Sequence, residues 1–374
     1  MKIAILGIKT LPAIAGADRV VEQLLQHYPR ENEYFVYLLK SRQPPLRCTD
    51  NIHYIYIPAF GGKHLKAFSY FFLCSVHFLF KGKYDAAHVH NSDFGLFCLA
   101  LRMRTRVRIV GTFHGKPYER SKWGLLARTF LRMSERLFVM SCHALTSVSS
   151  SHAMDLQAMT SKHIYYIPNG VDLTQSGADM SQNELRQFGL EKEMYIMFAC
   201  GRLDATKGLH HLLAAHKNGN WDKKLFVVGD FSHQPGYSRR IEQECEGNKK
   251  IILWKNLVSK DVLLALVRNC ALFVFPSEVE AMSMVLLEAI SCRRLVICSD
   301  IQENKEIVGQ DYKYLFSLSS PTDLQHKIEQ ALSDSNQEVI ERELYERCAS
   351  WFDWRYIAVQ YIEIYNKSPA LSGC

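Results

Sequence analysis

Residues 272–300 read LFVFPSEVEAMSMVLLEAISCRRLVICSD, and their pattern is the strongest indication of the fold class. The apolar run 272–275 is rich in β-branched and aromatic residues and stops at Pro276 and Ser277, as a buried strand stops at a turn. Apolar residues then recur at helical spacing from about 283 to 292, and residues 295–298 are typical of a second buried strand. The order strand, loop, helix, strand predicts a βαβ unit, and such units bind ligands at the carboxyl ends of their strands.

Two glutamates lie at the ligand-binding end of this unit. Glu280 falls in the loop before the helix, and Glu288 lies inside the helix. Glu280 would face a ligand at the helix N-terminus, where free backbone N–H groups favour phosphate or sugar oxygens. Glu288 would accept hydrogen bonds from a diol further along. The alternative is that both are solvated surface glutamates.

The whole stretch resembles the signature of the retaining GT-B glycosyltransferases of family 4, which reads Pro-Ser-x-x-Glu-Gly-Phe-Gly, then a second Glu and a Gly-x-Pro-Val-Ile strand. In that family the first Glu lies against the donor sugar and the second holds the ribose hydroxyls, so the resemblance implies these roles for Glu280 and Glu288. Glycine after the first Glu lets backbone amides approach the sugar closely, and alanine replaces it here. The departures from the signature are Ala281, Met282 and Ser283, implied to line the donor site, and Arg293 and Leu295 further on.

A second motif, GRLDATKG at residues 201–208, precedes a helix predicted to begin near Leu209. Arg202 and Lys207 place two cations at a helix N-terminus, where their charges add to the backbone N–H donors and the helix dipole. Such a site suits a diphosphate, although as random charges the two residues would be unremarkable. The motif is similar to the family's Gly-Arg-Leu-x-x-x-Lys-Gly, which implies that this pair neutralises the donor diphosphate.

A third donor contact is implied by the stretch IILWKNL at residues 251–257, which predicts a strand and a loop. In the family this loop touches the nucleotide base, and the contact is carried over to Leu257. Lys255 replaces the usual glycine, so the nucleotide base stays open.

The chain begins with a predicted buried strand, KIAILG at residues 2–7, and an amphipathic helix follows from Asp18. Gly16 lies between them, and a glycine at a helix entry lets the backbone come near a phosphate. The Gly-x-Gly-x-x-Gly fingerprint is missing, so a dinucleotide cofactor is disfavoured. The family has Gly-Gly-x-Glu/Asp here, with Ala15 and Gly16 at the two glycine positions, which implies a donor contact at Gly16. A plain tight turn is the alternative.

Histidines end two predicted strands of the first half. His88 and His90 in AAHVH share one face of a strand, which is a geometry open to a metal pair, but no third ligand is evident and no metal site is predicted. His114 follows the strand RIVGTF, and a lone histidine there is more often structural. The family's Thr-x-His-Gly loop places its histidine against the donor sugar, and this role is implied for His114.

Composition predicts a globular protein of two α/β domains, since 374 residues with 48% hydrophobic and 22% charged residues are ample for two cores. No charged n-region with an apolar h-region and a cleavage site precedes the first strand, so no signal peptide is predicted. The eleven cysteines are scattered and never form Cys-x-x-Cys. They indicate the reduced thiols of a cytoplasmic protein.

The positive charge lies in the first half. Residues 1–172 contain 22 Lys and Arg against 11 Asp and Glu, whereas the remainder contains 23 against 27. The basic half should therefore meet an acidic partner, and a lipid diphosphate or an anionic membrane is favoured over nucleic acid because no nucleic-acid module is visible. The cations that suggest a patch are Arg102, Arg104, Arg106, Arg108, Lys116, Arg120, Lys122, Arg128, Arg132 and Arg136.

The longest apolar run, residues 67–80, is shorter than the roughly 20 residues that span a bilayer. A helix in the core of the first domain is the favoured interpretation. The alternative is an aromatic helix lying on an anionic membrane, because Lys63, Lys66, Lys81 and Lys83 flank the run.

The resemblance implies a GT-B architecture, with two Rossmann-like doubly wound domains facing a cleft. The predicted N-terminal, acceptor-binding domain is 1–172, with 351–374 packing back on it, and the nucleotide-sugar domain is 173–350. Residues 144–149 are predicted as the last strand of the first domain, residues 172–181 as the linker, and residues 351–365 as a single aromatic helix.

The predicted function is a retaining hexosyltransferase of surface-polysaccharide synthesis, since residues 116–138 also resemble bacterial enzymes of that pathway. It would move a sugar from a nucleotide diphosphate sugar to a saccharide or a polyprenyl-diphosphate-linked acceptor, working in the cytoplasm or on the inner face of the membrane. Arg202 and Lys207 would stabilise the departing diphosphate, so no metal or other cofactor is expected. His114 and Glu280 would orient the donor ring. The alternatives are an inactive nucleotide-sugar-binding subunit and, less favoured, an NAD-type oxidoreductase.

Overall fold

Parallel sheets organise both compact units of the chain. The computed structural model describes residues 1–13, 16–41, 46–116, 118, 124–174, 178–320 and 322–367. The first unit takes in Met1–Asn169 and the segment from Trp354 on, and the second unit is Gly170–Asp353. The sequence-based domain bounds lie within three residues of these divisions. Gly177 of the predicted linker lies outside the described residues.

The sheet of the first unit has a doubly wound strand order. Its strands are β1 (Lys2–Leu6), β2 (Glu33–Leu39), β3 (Ile52–Ile57), β4 (Ala86–His90), β5 (Arg108–Phe113), β6 (Ala144–Ser147) and β7 (Ile164–Tyr166). They pair in parallel in the order β3-β2-β1-β4-β5-β6-β7. The order reverses between β1 and β4, and such a switch point opens a crevice at the carboxyl ends of the strands.

One glycine shows how closely the two strands at this switch point approach. Gly7 follows β1 with φ at +86°, and a Cβ placed on it would lie 1.9 Å from the backbone oxygen of His90 at the end of β4. A larger residue would push these strand ends apart. The predicted strand 2–7 therefore ends where only glycine fits.

The helices of this unit are α1 (Gly16–His27), α2 (Lys63–Lys81), α3 (Gly95–Leu101), α4 (Leu125–Ser141) and α5 (Ser150–Gln157). They cover strands that are buried along their length, as β4, β5 and β6 are. Helix α2 buries Tyr70, Phe71, Cys74 and Phe78 in the core. The prediction of a core helix at 67–80 is therefore confirmed for one face of α2.

The second unit repeats the plan with β8 (Tyr195–Ala199), β9 (Lys224–Val228), β10 (Ile251–Trp254), β11 (Leu272–Phe275), β12 (Val296–Ser299) and β13 (Leu315–Phe316). The strand order is β10-β9-β8-β11-β12-β13, with parallel pairing, and it reverses between β8 and β11. The helices are α6 (Gln182–Gln187), α7 (Leu209–Asn218), α8 (Pro235–Cys245), α9 (Lys260–Asn269), α10 (Met284–Ser291), α11 (Gln302–Val308), α12 (Asp323–Ser333) and α13 (Gln337–Trp351). The βαβ unit predicted from residues 272–300 is confirmed as β11, α10 and β12.

The last helix, α14 (Trp354–Asn366), belongs to the first unit although it follows the second in the chain. Its Tyr365 hydroxyl lies 2.6 Å from His88 Nδ1 and 2.8 Å from the Tyr28 hydroxyl. All three side chains are buried, so these hydrogen bonds fix α14 against α1 and β4.

One sequence-based expectation about elements is wrong, and another needs a later start. The helix expected at 351–365 begins only at Trp354, since Trp351 ends α13 and the carbonyl of Phe352, between the two helices, accepts from the backbone N–H of Val171 at 2.7 Å. Residues 144–149 are not the last strand of the first unit, since β7 pairs with β6 through Leu145 and Ile164. Strand β7 has only three residues, which are too few for an alternating apolar pattern to be recognised in the sequence.

Candidate functional site

The site in the second unit lies where the strand order reverses, between β8 and β11. The chain leaves β8 through residues 200–208 and leaves β11 through residues 276–283, and each of these loops enters a helix. Adjacent parallel strands whose helices lie on opposite sides leave a crevice between their following loops. Both motifs singled out in the sequence fall in these two loops.

Gly208 holds the two loops together. Asp204 accepts a hydrogen bond from the Thr206 backbone N–H at 3.1 Å and starts a short 3-10 turn, Ala205–Lys207. Gly208 ends that turn in the left-handed region, with φ at +67°, and a Cβ there would lie 1.8 Å from the carbonyl oxygen of Pro276. The motif needs glycine at this position both for the backbone conformation and for the close approach.

Lys207 and Glu280 meet across the two loops. The Lys207 Nζ donates to Glu280 Oε1 at 2.6 Å, and the two side chains are 24% and 13% exposed. The backbone N–H of Glu278 also donates to the carbonyl of Thr206 at 2.8 Å. The structure thus brings together a cation and a carboxylate that are far apart in the sequence.

The protonation of Lys207 is fixed by its surroundings. Burial lowers the pKa of Lys207, but the attraction and the hydrogen bond of Glu280 raise it by more, so the pKa stands above its usual value. Lys207 is therefore charged at neutral pH. A charged ammonium at this depth is suited to an anionic group of a ligand.

Ser277 is a site residue to which the sequence analysis gave no role. Its Oγ lies 2.8 Å from Glu280 Oε1 and 3.1 Å from the carbonyl of Thr206. Its own carbonyl accepts from Ser299 Oγ, which in turn accepts from Asn304 Nδ2 at 2.9 Å. This buried chain of hydrogen bonds runs from α11 to the carboxylate of Glu280. Pro276 and Ser277 match the Pro-Ser of the family signature, and this match was the sequence feature that could have singled out Ser277.

Arg202 lies in the same loop as Lys207, and its charge acts on Asp230 in the loop that follows β9. Hydrogen bonds from Ser232 lower the pKa of Asp230, and the charges of His233 and Arg202 lower it further. Arg202 is half-buried and so retains access to a ligand. The structure places Lys207, not Arg202, in direct contact with Glu280.

The helix that follows the Glu280 loop begins with a side-chain cap. Ser283 accepts a hydrogen bond from the Leu286 backbone N–H at 3.2 Å and caps α10. Met282 and Ser283 are buried, while Ala281 is half-buried. The substituted signature residues therefore still make a regular helix entry.

Glu288 lies within α10 and is only 4% exposed. Burial and the nearby Glu288 carboxylate raise the pKa of the Cys292 thiol to about 12. This carboxylate was expected to meet a ribose diol, and that role stays a prediction.

The loop expected to contact the base lies at the edge of the second sheet. Leu257 follows β10 and is 55% exposed. Lys255, which replaces the family's glycine, forms an ion pair with Glu242 at 2.8 Å. The lysine is thus held by α8.

The expected site residues of the first unit surround its own switch point. His114 Nε2 lies 3.0 Å from His90 Nδ1, and burial lowers the pKa of His114 to about 4. His114 is therefore neutral at pH 7 and suits hydrogen bonding to a sugar hydroxyl better than pairing with an anion. Gly16 is the first residue of α1 and is exposed, and a Cβ on it would meet no atom within 4 Å. Ala15, the other glycine position of the motif, lies outside the described residues.

His88 has protein partners on both ring nitrogens. Thr112 Oγ1 lies 2.6 Å from Nε2, and the Tyr365 hydroxyl lies 2.6 Å from Nδ1. A histidine held in this way has no nitrogen to offer a metal. The His88 and His90 pair is thus a structural feature of the core.

Among the described residues, one group has the composition and spacing of a metal site: His210, His211 and Glu278, with ligand atoms within 4.8 Å of one another. The Nε2 atoms lie 3.3 and 3.0 Å from Glu278 Oε1. His210 Nδ1 also lies 3.0 Å from the Tyr237 hydroxyl. Hydrogen bonds within the protein account for this cluster as it stands.

The cations expected to form a patch differ in burial and in their partners where the structure describes them. Arg108 is buried in β5, and Lys116 pairs with Asp155 at 2.6 Å. Arg120 and Lys122 lie outside the described residues. The exposed members of the expected patch are Arg102, Arg106, Arg132 and Arg136, which lie after α3 or in α4. No helix in the described part of the chain has the length and hydropathy needed to cross a bilayer.

Two family profiles match the chain. The profile described as Glycosyltransferase Family 4 matches residues 14–175, and the one described as Glycosyl transferases group 1 matches residues 180–350. Each match falls largely within one of the two compact units.

Known proteins resemble the chain over most of its length. An Escherichia coli UDP-Gal:alpha-D-GlcNAc-diphosphoundecaprenol alpha-1,3-galactosyltransferase is 24% identical over 336 residues, which are 83% of each chain. The structure of sucrose-phosphate synthase from Thermosynechococcus elongatus superposes with a TM-score of 0.82 at 19% identity, covering 97% of this chain and 98% of that one. Anabaena HepE in complex with UDP and glucose gives a TM-score of 0.78 at 17% identity, covering 97% and 98%.

Proposed function

The chain belongs to the GT-B glycosyltransferases of family 4 (group 1), and on this premise we propose that it transfers a hexose from a nucleotide diphosphate sugar with retention of anomeric configuration. The observation that carries the proposal is the Lys207–Glu280 contact at the switch point of the second unit. A half-buried cation and carboxylate at that position can hold a diphosphate and a sugar side by side.

The proposed reaction needs no covalent intermediate with the protein. The bond between the anomeric carbon and the diphosphate oxygen breaks while the acceptor hydroxyl approaches the same face of the sugar. The acceptor proton passes to the departing phosphate oxygen, so atoms and charge balance. Lys207 and Arg202 stabilise the charge that grows on the diphosphate, and the reaction is proposed to be independent of metal.

The remaining site residues orient the donor. Glu280 accepts hydrogen bonds from hydroxyls of the donor ring, the neutral His114 accepts or donates one there, and Glu288 binds the ribose. Gly16, Ala281, Met282 and Ser283 offer backbone groups, and Leu257 lies near the base. Met282 and Ser283 are positioned by the cap of α10, which supports a preorganised site.

The proposed acceptor is a saccharide carried on a polyprenyl diphosphate, and the pathway is surface-polysaccharide synthesis. The support is the name of the E. coli relative, a galactosyltransferase acting on a diphosphoundecaprenol-linked sugar. Such an acceptor is held in lipid, so the proposal also places the protein on the inner face of a membrane. The same name makes UDP-galactose the first donor to test.

The test is release of nucleoside diphosphate from a panel of UDP-, GDP- and dTDP-hexoses, with membrane extract as the source of acceptor. The anomeric configuration of the new linkage is then read by NMR with the active donor. Release from one donor with a retained configuration is expected. An inverted product would refute retention.

A nucleotide-sugar-binding subunit without activity is the second candidate, because Ala281 stands where the family has glycine. It would bind a donor and release nothing. An Ala281→Gly variant that turns over where the wild type does not would favour this candidate over the first.

A further inference from the structure

Helix α2 is apolar on two opposite faces. One face packs into the core of the first unit. The other presents Leu65, Phe68, Phe72 and Phe80 to solvent, with exposed fractions of 65%, 43%, 51% and 80%. These positions recur at helical spacing and so form one stripe along the helix. A stripe of phenylalanines in water is costly unless something covers it.

Helix α4 has a second stripe of the same kind. Its Leu131, Ser134 and Phe138 are buried. On the outer side Leu126, Phe130, Met133 and Met140 are 87%, 36%, 47% and 68% exposed. The spacing of these four again places them along one side of the helix.

Helix α3 joins the two stripes into one surface, which we call the outer face. It contacts both α2 and α4, and the ring centroid of Phe68 on α2 lies 5.1 Å from that of Phe97 on α3. After α3, Arg104 donates to the carbonyl of Leu79 and Arg102 donates to the carbonyl of Ser141 at 3.5 Å. The C-terminal ends of α2 and α4 are thus held by the same short segment.

The chain segment that builds the outer face is rich in Lys and Arg. Residues 60–141 contain 14 Lys and Arg against 4 Asp and Glu. Several of these cations are exposed on or beside the three helices: Lys66, Lys81, Arg102, Arg106, Arg132 and Arg136. Apolar side chains bordered by cations match a surface that is apolar inside and anionic at its rim.

We propose that the outer face docks on an anionic lipid bilayer, with the phenylalanines of α2 and the apolar stripe of α4 entering the headgroup boundary. Helices of this kind lie in the plane of the interface. A second copy of the chain is the rival occupant, but pairing two such faces would bring like charges together. The membrane is therefore the favoured occupant.

This inference rests on the proposed action at a membrane, but its test needs neither donor nor acceptor. Vesicle binding can succeed when no transfer is found, and transfer to a water-soluble acceptor can succeed when vesicle binding fails. The two failures are thus distinguishable.

The experiment is co-sedimentation of the full chain with vesicles of phosphatidylethanolamine and phosphatidylglycerol, compared with phosphatidylcholine alone. The test variant is Phe72→Ser with Leu126→Ser. The matched control is Met194→Ser with Val339→Ser, two exposed apolar residues of the second unit that are each 41% exposed. We expect the test variant to bind anionic vesicles at least tenfold more weakly than the wild type, and the control to bind like the wild type. Thermal melting shows whether each variant is folded.

A charge variant and a spectroscopic variant complete the test. Arg132→Gln with Arg136→Gln should weaken binding to anionic vesicles and reduce its sensitivity to salt. Phe72→Trp should give emission that shifts to the blue and is quenched by brominated lipid, whereas Val339→Trp should not. Equal vesicle binding by the wild type and the Phe72→Ser, Leu126→Ser variant would overturn the proposal. So would a wild type that is a dimer and a variant that is a monomer, since that result assigns the face to a second copy.

Discussion

The carboxylate of Glu280 is held from two sides, by the ammonium of Lys207 and by the hydroxyl of Ser277. If Ser277 only positions Glu280, Ser277→Ala should lower kcat roughly tenfold and leave the donor KM nearly unchanged, since a hydrogen bond to a charged group is lost. Ser277→Thr should restore most of the rate. Steady-state kinetics of the two variants, with the exposed Ser333→Ala as a control, measure this. An unchanged kcat in Ser277→Ala would rule the positioning role out.

The buried histidines of the first unit predict a loss of stability in acid. Burial holds the pKa of His88 and of His90 well below the usual 6.5. Well above pH 6.5 these histidines are neutral in both the folded and the unfolded protein. As the pH falls through 6.5, they become protonated in the unfolded protein but stay neutral in the folded one. Each residue should thus reduce the free energy of unfolding by about 2 kcal/mol at pH 5 relative to pH 7.5.

Urea unfolding at the two pH values checks this expectation. In a His90→Gln variant the free energy of unfolding should differ less between pH 7.5 and pH 5 than in the wild type, because the unfolded variant takes up one proton fewer. Identical differences in the two proteins would contradict the role of His90.

For individual site residues, the sequence identified the residues but not all of their contacts. Lys207 and Glu280 stand in motifs whose spacing predicts two loop ends, so their meeting could be expected from parallel strands. The role of Ser277 could not be expected from the sequence. It depends on Ser299 and Asn304, which β12 and α11 bring behind the loop. Such contacts are set by tertiary structure, not by local pattern.

Helix α14 should contribute measurably to the stability of the first unit. Removing the Tyr365 hydroxyl leaves His88 Nδ1 and the Tyr28 hydroxyl buried without this partner. Tyr365→Phe should therefore lower the free energy of unfolding by about 1–3 kcal/mol. Tyr356→Phe, on the same helix but 61% exposed, should change it by less than about 0.5 kcal/mol. Similar effects of both variants in denaturant titrations would argue against the predicted difference.

Strands with a continuous apolar run were predictable from the sequence. A strand of three residues and the break between two helices were not. The apolar runs of β4, β8 and β11 gave their bounds directly. The break between α13 and α14 follows from a backbone hydrogen bond to Val171, which no local pattern records. Helix α2 has apolar residues all round, so the sequence alone could not say that one of its two stripes is exposed.

For the whole molecule, a nucleoside diphosphate should stabilise the fold through the second unit. A ligand at about 100 times its Kd adds about 2.7 kcal/mol to the free energy of unfolding. Thermal unfolding with and without UDP, GDP and dTDP should show such a shift for one base. At the same ligand concentration the shift should vanish in Lys207→Ala and persist in Lys217→Ala, an exposed lysine of α7. A full shift in Lys207→Ala would remove Lys207 from the diphosphate site.

The distribution of charge over the whole chain was available from the sequence, since 22 of the 45 Lys and Arg residues but only 11 of the 38 acids lie in residues 1–172. The structure adds that the exposed cations border an apolar surface, which a residue count cannot show. The chemistry of the donor base was not predictable, because Lys255 replaces the family's glycine in the loop expected to contact the base.

Metal-independent transfer that depends on Lys207 is tested by nucleoside diphosphate release with the active donor, in the presence of EDTA, by the wild type, Lys207→Ala and Lys217→Ala. With EDTA present, the wild type and Lys217→Ala should turn over at the same rate, and Lys207→Ala should lose at least a hundredfold, as expected when a cation that stabilises the leaving group is removed. Turnover by Lys207→Ala at the wild-type rate would exclude the proposed role of Lys207, and loss of wild-type turnover in EDTA would refute independence of metal.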